Sequence, residues 1–401
     1  MFIPTKKQAE EIVKKYGTPV FVTDAETINN QAKKLLDAFK DLNAKVFYAI
    51  KANYNPHIVN IIKKSGIYGI DAVSPNEVQF ALGLGYLPEQ IIFTPNSLSD
   101  EEIKTVGNLG ILQNLGSISE LRRYCKFFPG SKVSLRICPE TGAGEFHQVV
   151  TGALHSKFGL DKNDLEEARA ICKKYKVKIV GIHSHIGSGF YQAREFKESV
   201  IEVCRIAKKF NDLEFFDFGG GFGVYYRPEE KPINLKEFVL AVKEPLDEFN
   251  KKNKKNIEIR IEPGKFLVSE STVLLARVTT IKEKNKKVFV GLDTGFNHLI
   301  RPAMYGAYHH IVNLSRNKGE VKLVQVVGNI CETCDVFNKG IKMINPKEGD
   351  ILAILVAGGY GASMSSNYNM RALACEVLIK DKKIILTKRI QTYKEIISLY
   401  L

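Results

Sequence analysis

"VFYAIKANYNP", residues 46–56, is the stretch from which the rest of the chain can be read. An apolar, strand-like run ends at Ile50, a single lysine follows at Lys51, and a turn-prone stretch with Asn53, Asn55 and Pro56 comes next. A cation at the tip of a buried strand is costly unless something there uses it. Runs of the same kind recur as "IYGIDAV", "IIFTPN", "ILQNLG", "KVSLRI", "KIVGIHSHI", "LEFFDFG" and "IEIRIEP". Amphipathic segments such as 27–40, 75–84, 162–175, 194–209 and 235–250 lie between them. Strand–helix alternation implies parallel pairing with helices outside. Eight such repeats predict an α/β fold, a TIM-like (β/α)8 barrel over residues 25–268. An open, doubly wound sheet is the alternative, because periodicity does not prove closure.

The barrel reading puts Lys51, Asp71, Asn96, Asn114, Arg136, His183, His185, the glycines at 219–221 and Glu262 at the carboxyl ends of successive strands. That face carries the active site in barrels of this kind. Any one of them alone would read as a loop residue or a satisfied buried polar group; the coincidence of all of them would not. After Glu262 the pattern changes. "TVLLARVTTI", "KKVFVGLD", "KLVQVVG", "DILAILVAG" and "ALACEVLI" are strands without convincing helices between them, which predicts an all-β domain from residues 269–401. Residues 1–24 join it, "TPVFVTD" at 18–24 lending a strand. One long irregular stretch, 139–160, interrupts the fifth strand–helix unit, and loops of that length inside compact domains are usually functional.

Composition excludes several classes. The chain has 401 residues, 44% of them hydrophobic, enough for a large core. The net charge of +14 comes mostly from lysines dispersed over segments such as "CKKYKVK", not from a basic stripe interleaved with aromatics. No nucleic-acid partner is expected; anionic small molecules are compatible with the charge. The seven cysteines are scattered and odd in number, which suits a reducing cytosol and a cytoplasmic protein. "MFIPTKKQAE" has no apolar core, so no signal peptide is expected, and no apolar run is long enough to span a membrane.

Four motifs carry chemistry. In "FFDFGGGFG" three glycines after a strand offer backbone N–H groups without obstruction, as a phosphate requires, although a tight turn alone explains glycines equally well. "HSHIGS" sets two histidines on one side of a strand; no third ligand at catalytic-zinc spacing is evident, so no metal is expected, and an imidazole packed on a planar ligand fits instead. "IEPGKF" ends a strand with the carboxylate of Glu262, which when buried needs a cationic or protonated partner such as a protonated ring nitrogen. "CETCD" contains Cys331 and Cys334; without a second CxxC, a thiol acting as proton donor is the better reading. A lysine at a strand tip, a phosphate cradle and a buried carboxylate on one face are the equipment for pyridoxal 5′-phosphate. A desolvated lysine has a lowered pKa and can bond to the aldehyde. The carboxylate keeps the ring nitrogen protonated, and the ring becomes an electron sink.

These residues carry a resemblance. "YAIKAN", "GIDAVSPNE", "TGALHSKFGL", "GIHSHIGSG", "GGGFG", "EPGKFLV", "DTGFNHLIRPAMYGAYHHI", "GNICETCDVF" and "GASMSSNYN" span the chain nearly end to end. They resemble the alanine racemase-like (fold type III) pyridoxal-phosphate decarboxylases, and within them the diaminopimelate decarboxylase family. The resemblance implies decarboxylation of meso-2,6-diaminopimelate to L-lysine and carbon dioxide, the last step of lysine biosynthesis. It implies that Lys51 bonds to the cofactor and His185 stacks on its ring. Ser188 with Gly219, Gly220 and Gly221 would hold the phosphate, and Glu262 would pair with the ring nitrogen. Asp71, Arg136, Gly264, Lys265 and Tyr360 would support the cofactor. Lys265, Arg301, Tyr305, Glu332 and Tyr360 would contact substrate, Arg301 gripping the distal carboxylate, and Cys331 would return the proton to carbon. The cysteine–glutamate pair would reach the site from the neighbouring subunit, making a homodimer the active unit.

Two departures stand out. The family pattern has arginine where this chain has Lys265, which keeps the charge and loses the planar fork. It has serine and glycine where this chain has Thr333 and Cys334. Relatives acting on lysine, ornithine, arginine or carboxynorspermidine are the alternative, but they lack the full "RPAMYGAYHHI" signature, and a distal amine alone does not call for Arg301. Alanine racemase has a second base where this chain has "CET". A non-catalytic cofactor-binding relative would be expected to have lost Lys51 or Cys331.

Overall fold

Each of the eight apolar runs becomes a strand of one closed parallel barrel. The computed structural model describes residues 1–153, 156–398 and 400; Leu154 and His155 of "TGALHSKFGL", with Leu399 and Leu401, lie outside the described residues. Strand β1 (Val20–Asp24) precedes the barrel, which consists of β2 (Ala44–Ala49), β3 (Gly69–Ala72), β4 (Ile91–Phe93), β5 (Leu112–Leu115), β6 (Lys132–Arg136), β7 (Lys178–His183), β8 (Phe215–Asp217) and β9 (Glu258–Ile261). β9 pairs back onto β2 through Val46 and Ile261, so the sheet has no edge and the open-sheet alternative falls. The strands read as continuous apolar runs because helices cover them outside and side chains fill them inside. Gly181 shows how tightly: a Cβ there would lie 2.0 Å from the Phe215 ring. The Arg260 guanidinium lies 3.6 Å over that same ring, so the interior is a packed core and not a pore.

The opening stretch folds as its residues dictate. After β2 the chain makes one 3-10 turn, Ile50–Ala52, which holds Lys51. The Asn55 side chain then accepts the His57 N–H, and Pro56 takes the first position of the helix Pro56–Lys64, where its missing N–H costs nothing.

The second unit is a nine-stranded sheet built from β1 with β10 (Thr272–Lys284), β11 (Lys287–Leu292), β12 (Ile311–Asn313), β13 (Val321–Val327), β14 (Val336–Ile344), β15 (Ile351–Ile354), β16 (Cys375–Lys380) and β17 (Lys383–Lys388). β1 lies between β10 and β16, antiparallel to the first and parallel to the second, so the N-terminal strand is internal to this sheet. Sequence reading misses β12, β14 and β17. "VFNKGIKMI" in β14 and "KIILTK" in β17 break alternation with lysines, asparagine and glycine that a half-exposed strand tolerates. The sheet also holds the Lys51 turn: Ala52 O accepts both Tyr360 N and Ser363 Oγ, and Asn53 Nδ2 donates to Gly358 O.

A phenylalanine cluster supports the glycine run. Phe222, directly after Gly221, lies 5.5–6.4 Å from the rings of Phe39, Phe190, Phe196, Phe238 and Phe266. Phe196 and Phe238 come from the helices Arg194–Ala207 and Leu235–Asn253, so the two outer helices grip the loop from behind. Among the described residues no helix is long and apolar enough to cross a membrane.

Candidate active site

A cavity of about 450 Å³ opens at the carboxyl ends of the barrel strands, a size typical of small-molecule sites. Lys51, Asn96, Arg136, His183, His185, Ser188, Gly220, Gly221, Glu262, Gly264, Lys265 and Tyr360 line it. Lys51 reaches it from the 3-10 turn, and its Nζ lies 2.8 Å from Asp71 Oδ2 at the end of β3. The lowered pKa expected for this lysine is corrected by that contact. Burial pulls the ammonium down, but Asp71, with Tyr360 and Glu262 behind it, outweighs burial and raises it. Asp71 is itself pushed up, by burial and then by Glu262, and its Oδ1 has no partner.

Glu262 sits at the end of β9, 5% exposed. His183 Nε2 donates to its Oε2 at 3.2 Å, and Thr94 Oγ1 donates to its Oε1 at 3.3 Å. Asn114 Nδ2 in turn donates to Thr94 Oγ1 at 2.9 Å, which accounts for the polar ends of β4 and β5. Burial raises this carboxyl's pKa, yet His183, Lys51 and His185 together hold it at about 2. Asp217, buried at the end of β8, goes the other way: burial and then Glu262 push it well above the carboxylate range. Glu262 is thus held ionised, while burial and the neighbouring negative charge of Glu262 raise Asp71 and Asp217. His183, Asp217 and Glu262 also have ligating atoms within 4.8 Å of one another, a third partner that sequence spacing could not reveal. The His183–Glu262 hydrogen bond, and the bond from Gly219 N–H to Asp217 Oδ1, engage them with each other and with the backbone.

Two observations test the fit of pyridoxal 5′-phosphate. The first is the glycine cradle. Gly219 and Gly221 have φ of +63° and +103°, which L side chains rarely adopt. A Cβ at Gly221 would meet Gly187 O at 2.1 Å, and one at Gly219 would meet the His185 ring at 2.6 Å. The Gly220 and Gly221 amides donate to no backbone acceptor among the described residues, and Ser188 lines the same end of the cavity. The second is His185, whose ring burial, followed by Arg136 and Lys51, keeps neutral far below its ordinary pKa, leaving an uncharged face for a planar ring. Arg136 lies 4.4 Å over Phe158, and both line the cavity. An amine, a neutral ring, an anion and an amide cradle around one cavity fit this cofactor. Tyr360, left-handed at φ +60°, closes the mouth from the second sheet.

On the distal wall, two cations named from the sequence, Lys265 and Arg301, are surrounded by residues that sequence reasoning missed: Glu145, His309 and Tyr226. Lys265, at the start of the short helix Lys265–Val268, and Arg301, at the start of Arg301–Tyr305, are both buried. Their cationic atoms reach one oxygen, Glu145 Oε2, at 3.0 and 3.4 Å. Burial lowers the Lys265 pKa, Glu145 pulls it back and Arg301 lowers it again. Lys265 thus belongs with Arg301. His309 fixes the guanidinium: its Nδ1–H donates to Leu355 O at 2.9 Å, so Nε2 faces Arg301 NH1 as an acceptor at 3.2 Å. Burial, and then Arg301, hold this imidazole neutral with a pKa of about 3. The Tyr226 ring lies beneath Arg301 at 4.6 Å, and Tyr305 stacks on Phe146 at 5.7 Å. Glu145 gives no sequence signal, being one acid in a glycine-containing loop; His309 lies inside the quoted "AYHHI".

Cys331 and Glu332 are not brought to this cavity within one chain. Both are exposed, in a turn that Asp335 fixes by accepting Ile330 N at 2.8 Å and Phe296 N at 2.7 Å. Cys331 N donates to Asn369 Oδ1 at 2.9 Å and Tyr368 OH donates to Glu332, so the turn is ordered and faces outward.

The chain is similar to known proteins along nearly its whole length. Residues 25–269 match the family described as pyridoxal-dependent decarboxylase, pyridoxal binding domain. The chain is 38% identical to diaminopimelate decarboxylase of Methanothermobacter thermautotrophicus, covering 97% of this chain and 93% of that one. Its structure is similar to that of diaminopimelate decarboxylase from Helicobacter pylori complexed with L-lysine (TM-score 0.90, 31% identity, 97% and 98% of the two chains). It is also similar to the M. jannaschii enzyme in co-complex with L-lysine (TM-score 0.88, 32% identity, 98% and 94% covered). The chain belongs to the pyridoxal-dependent decarboxylases, and within them to the diaminopimelate decarboxylase family.

Proposed function

We propose that this member of the family decarboxylates meso-2,6-diaminopimelate to L-lysine and carbon dioxide with pyridoxal 5′-phosphate, the last step of lysine biosynthesis. The observation that carries the reading is one cavity lined by Lys51, by the glycine cradle and by buried Lys265, which shares Glu145 Oε2 with buried Arg301. When bound, the cofactor supplies an electron sink for the carbanion left by loss of carbon dioxide. Lys51 would hold it through Nζ, Ser188 with Gly219–Gly221 would bind its phosphate, and His185 would cover its ring. Glu262, ionised across the working range, would hold a proton at the ring nitrogen. Asp71 stays beside Lys51 Nζ and Arg136 borders the cofactor space. Arg301 and Lys265 would bind the distal carboxylate, with Tyr305 and Tyr360 alongside. A donor pair buried this deeply disfavours substrates without that carboxylate, because the cations would be left unpaired.

A homodimer supports the remaining step. Cys331 and Glu332 are presented outward on a fixed turn, and Met304, Tyr368 and Met370 nearby are exposed apolar side chains. Cys331 of the partner subunit would return a proton to carbon, and Glu332 of the partner subunit would take the distal ammonium. Seven cysteines without a disulfide among the described residues support a cytoplasmic setting.

The test is direct. Protein supplied with the cofactor should release carbon dioxide and lysine from diaminopimelate; release from ornithine but not diaminopimelate would overturn the substrate. Mixing inactive Lys51→Ala and Cys331→Ala subunits should restore about a quarter of wild-type activity if sites are shared across a two-fold interface. No recovery after verified subunit exchange would sink the shared site.

A further inference from the structure

Glu145 belongs to the 139–160 loop, but its backbone is tied to the barrel. Its N–H donates to Ser188 O at 2.8 Å, Ala143 N–H donates to Ile186 O at 3.1 Å, and Val150 bridges Gly187. Gly189 leaves room for its side chain, since a Cβ there would lie 2.6 Å from Glu145 Cβ and 2.9 Å from Lys265 Nζ. The neighbouring Phe146 stacks on Tyr305, so loop and distal wall are built to meet. The two cations cannot leave: the side chains of Lys265 and Arg301 are 6% and 4% exposed, and His309 holds the guanidinium. Glu145 differs. Its side chain is 16% exposed, and it meets both cations with a single oxygen. One carboxylate between two buried cations leaves a net positive charge in a low-dielectric wall, where a second anion would bind strongly.

We propose that Glu145 is a resident anion in the seat that Lys265 and Arg301 offer to a distal carboxylate, and that exchange at this seat makes it an affinity-determining residue for the substrate. This rests on the reading above of Lys265 and Arg301. A ligand with a distal carboxylate displaces Glu145 and takes over both ion pairs. A ligand ending in an amine alone cannot displace it, because it would leave two cations facing a third. The two buried cations thereby reject monocarboxylic diamino acids, and the resident carboxylate sets how tightly the correct substrate binds. An occupant that fills a site nine-tenths of the time lowers a competitor's apparent affinity about tenfold.

Pimelate, a straight-chain dicarboxylate with no amino group to react, tests this apart from turnover. Calorimetric titration of the holoenzyme should show pimelate binding about tenfold or more tighter to Glu145→Gln than to wild type. The KM for diaminopimelate should fall in parallel while the cofactor absorption band stays put; the ligand-free variant, its two buried cations unpaired, should melt earlier and recover on adding pimelate, and ornithine should compete no better than with wild type. Unchanged or weaker pimelate binding in a folded Glu145→Gln would overturn the proposal and leave Glu145 as a brace for the cations or a receiver of the distal ammonium. If Glu145→Gln does not fold, Glu145→Asp decides: its shorter arm should also tighten pimelate binding, and no gain there refutes the exchange. Tighter pimelate binding in a protein that never decarboxylates diaminopimelate would keep the seat and discard the substrate.

Discussion

Phe222→Ala separates the support of the cofactor cradle from its chemistry. Phe222 is 1% exposed and touches five other phenylalanines. Removing a buried phenylalanine costs about 3–5 kcal/mol, transfer and cavity together. Here the upper half of that range applies, because edge-to-face pairs such as Phe222–Phe238 each add about 0.5–1.5 kcal/mol beyond burial. About 4 kcal/mol in a chain of this size corresponds to a midpoint lower by roughly 5–10 °C. The second effect is local. Phe222 is the residue after Gly221, so a void behind it frees the Gly220 and Gly221 amides, and losing one pre-set charge-assisted hydrogen bond weakens phosphate binding about tenfold or more. Thermal unfolding of the cofactor-free protein and a cofactor titration by absorbance measure the two separately. Phe222→Leu, which refills part of the void, should recover about half of each loss. A variant that melts with wild type, or one that melts early but binds the cofactor equally well when folded, refutes the link between the cluster and the cradle.

Three further outcomes are expected. Asp71→Asn removes the anion that raises the Lys51 pKa, so burial then prevails; the pH midpoint for modification of Lys51 by an amine reagent in the cofactor-free protein should fall by about one pH unit or more. An unmoved midpoint would show that Asp71 does not control the amine. His309→Gln should raise the KM for diaminopimelate about tenfold while kcat and the cofactor band hold, since it loosens Arg301 without touching the reacting carbon; an equal loss in kcat would contradict that role. Glu262 has a folded pKa of about 2 against an ordinary 4.5, so its contribution is fully present above 4.5 and is lost as pH falls toward 2. At about 1.4 kcal/mol for each pH unit that is about 3 kcal/mol. Glu262→Gln should show a shallower loss of stability over that acid window, and a slope equal to wild type would mean that the carboxylate is not held by His183 and Lys51.

How far the site was legible depended on whether each residue is positioned by its own strand or by a neighbour. Lys51, Arg136, His183 and Glu262 end or directly follow barrel strands, and period, length and position suffice to bring such residues to one face. Asp217 ends β8 in the same way, but inside "FFDFGGGFG" a single aspartate beside three glycines has no spacing that marks it. Glu145 was invisible because its partners lie 120 and 156 residues further along the chain. The Lys51 pKa is hidden from the sequence for a related reason. Desolvation can be inferred from an apolar strand, but the compensating Asp71 becomes its neighbour only through the pairing of β2 with β3. In the second sheet, β14 and β17 are hidden by lysine-rich outer faces, and their antiparallel pairings with β13 and β16 each carry a register shift, at Val324–Val327 and at Glu376–Val377, that breaks a simple alternation.

The barrel alone would not hold Lys51 in place. Lys51 lies in a single 3-10 turn, a short element with strained hydrogen-bond geometry that is free to fray unless tied down. Three of its ties come from the other domain: two hydrogen bonds onto Ala52 O and one from Asn53 to Gly358 O. Tyr360 makes one of them from a left-handed backbone, a conformation costing about 1–3 kcal/mol that persists only where the surroundings over-determine it. The flanking close approaches supply that constraint: a Cβ at Gly358 would meet Val268 O at 1.9 Å, and one at Gly361 would meet Ala357 O at 2.2 Å. The all-β domain is therefore part of the site's geometry and not an appendage. This also explains why β1, the first strand of the chain, lies inside that sheet. Its pairing with β10 and β16 binds the start of the barrel sequence to the segment that carries Tyr360, so the lysine turn is gripped from both ends of the chain.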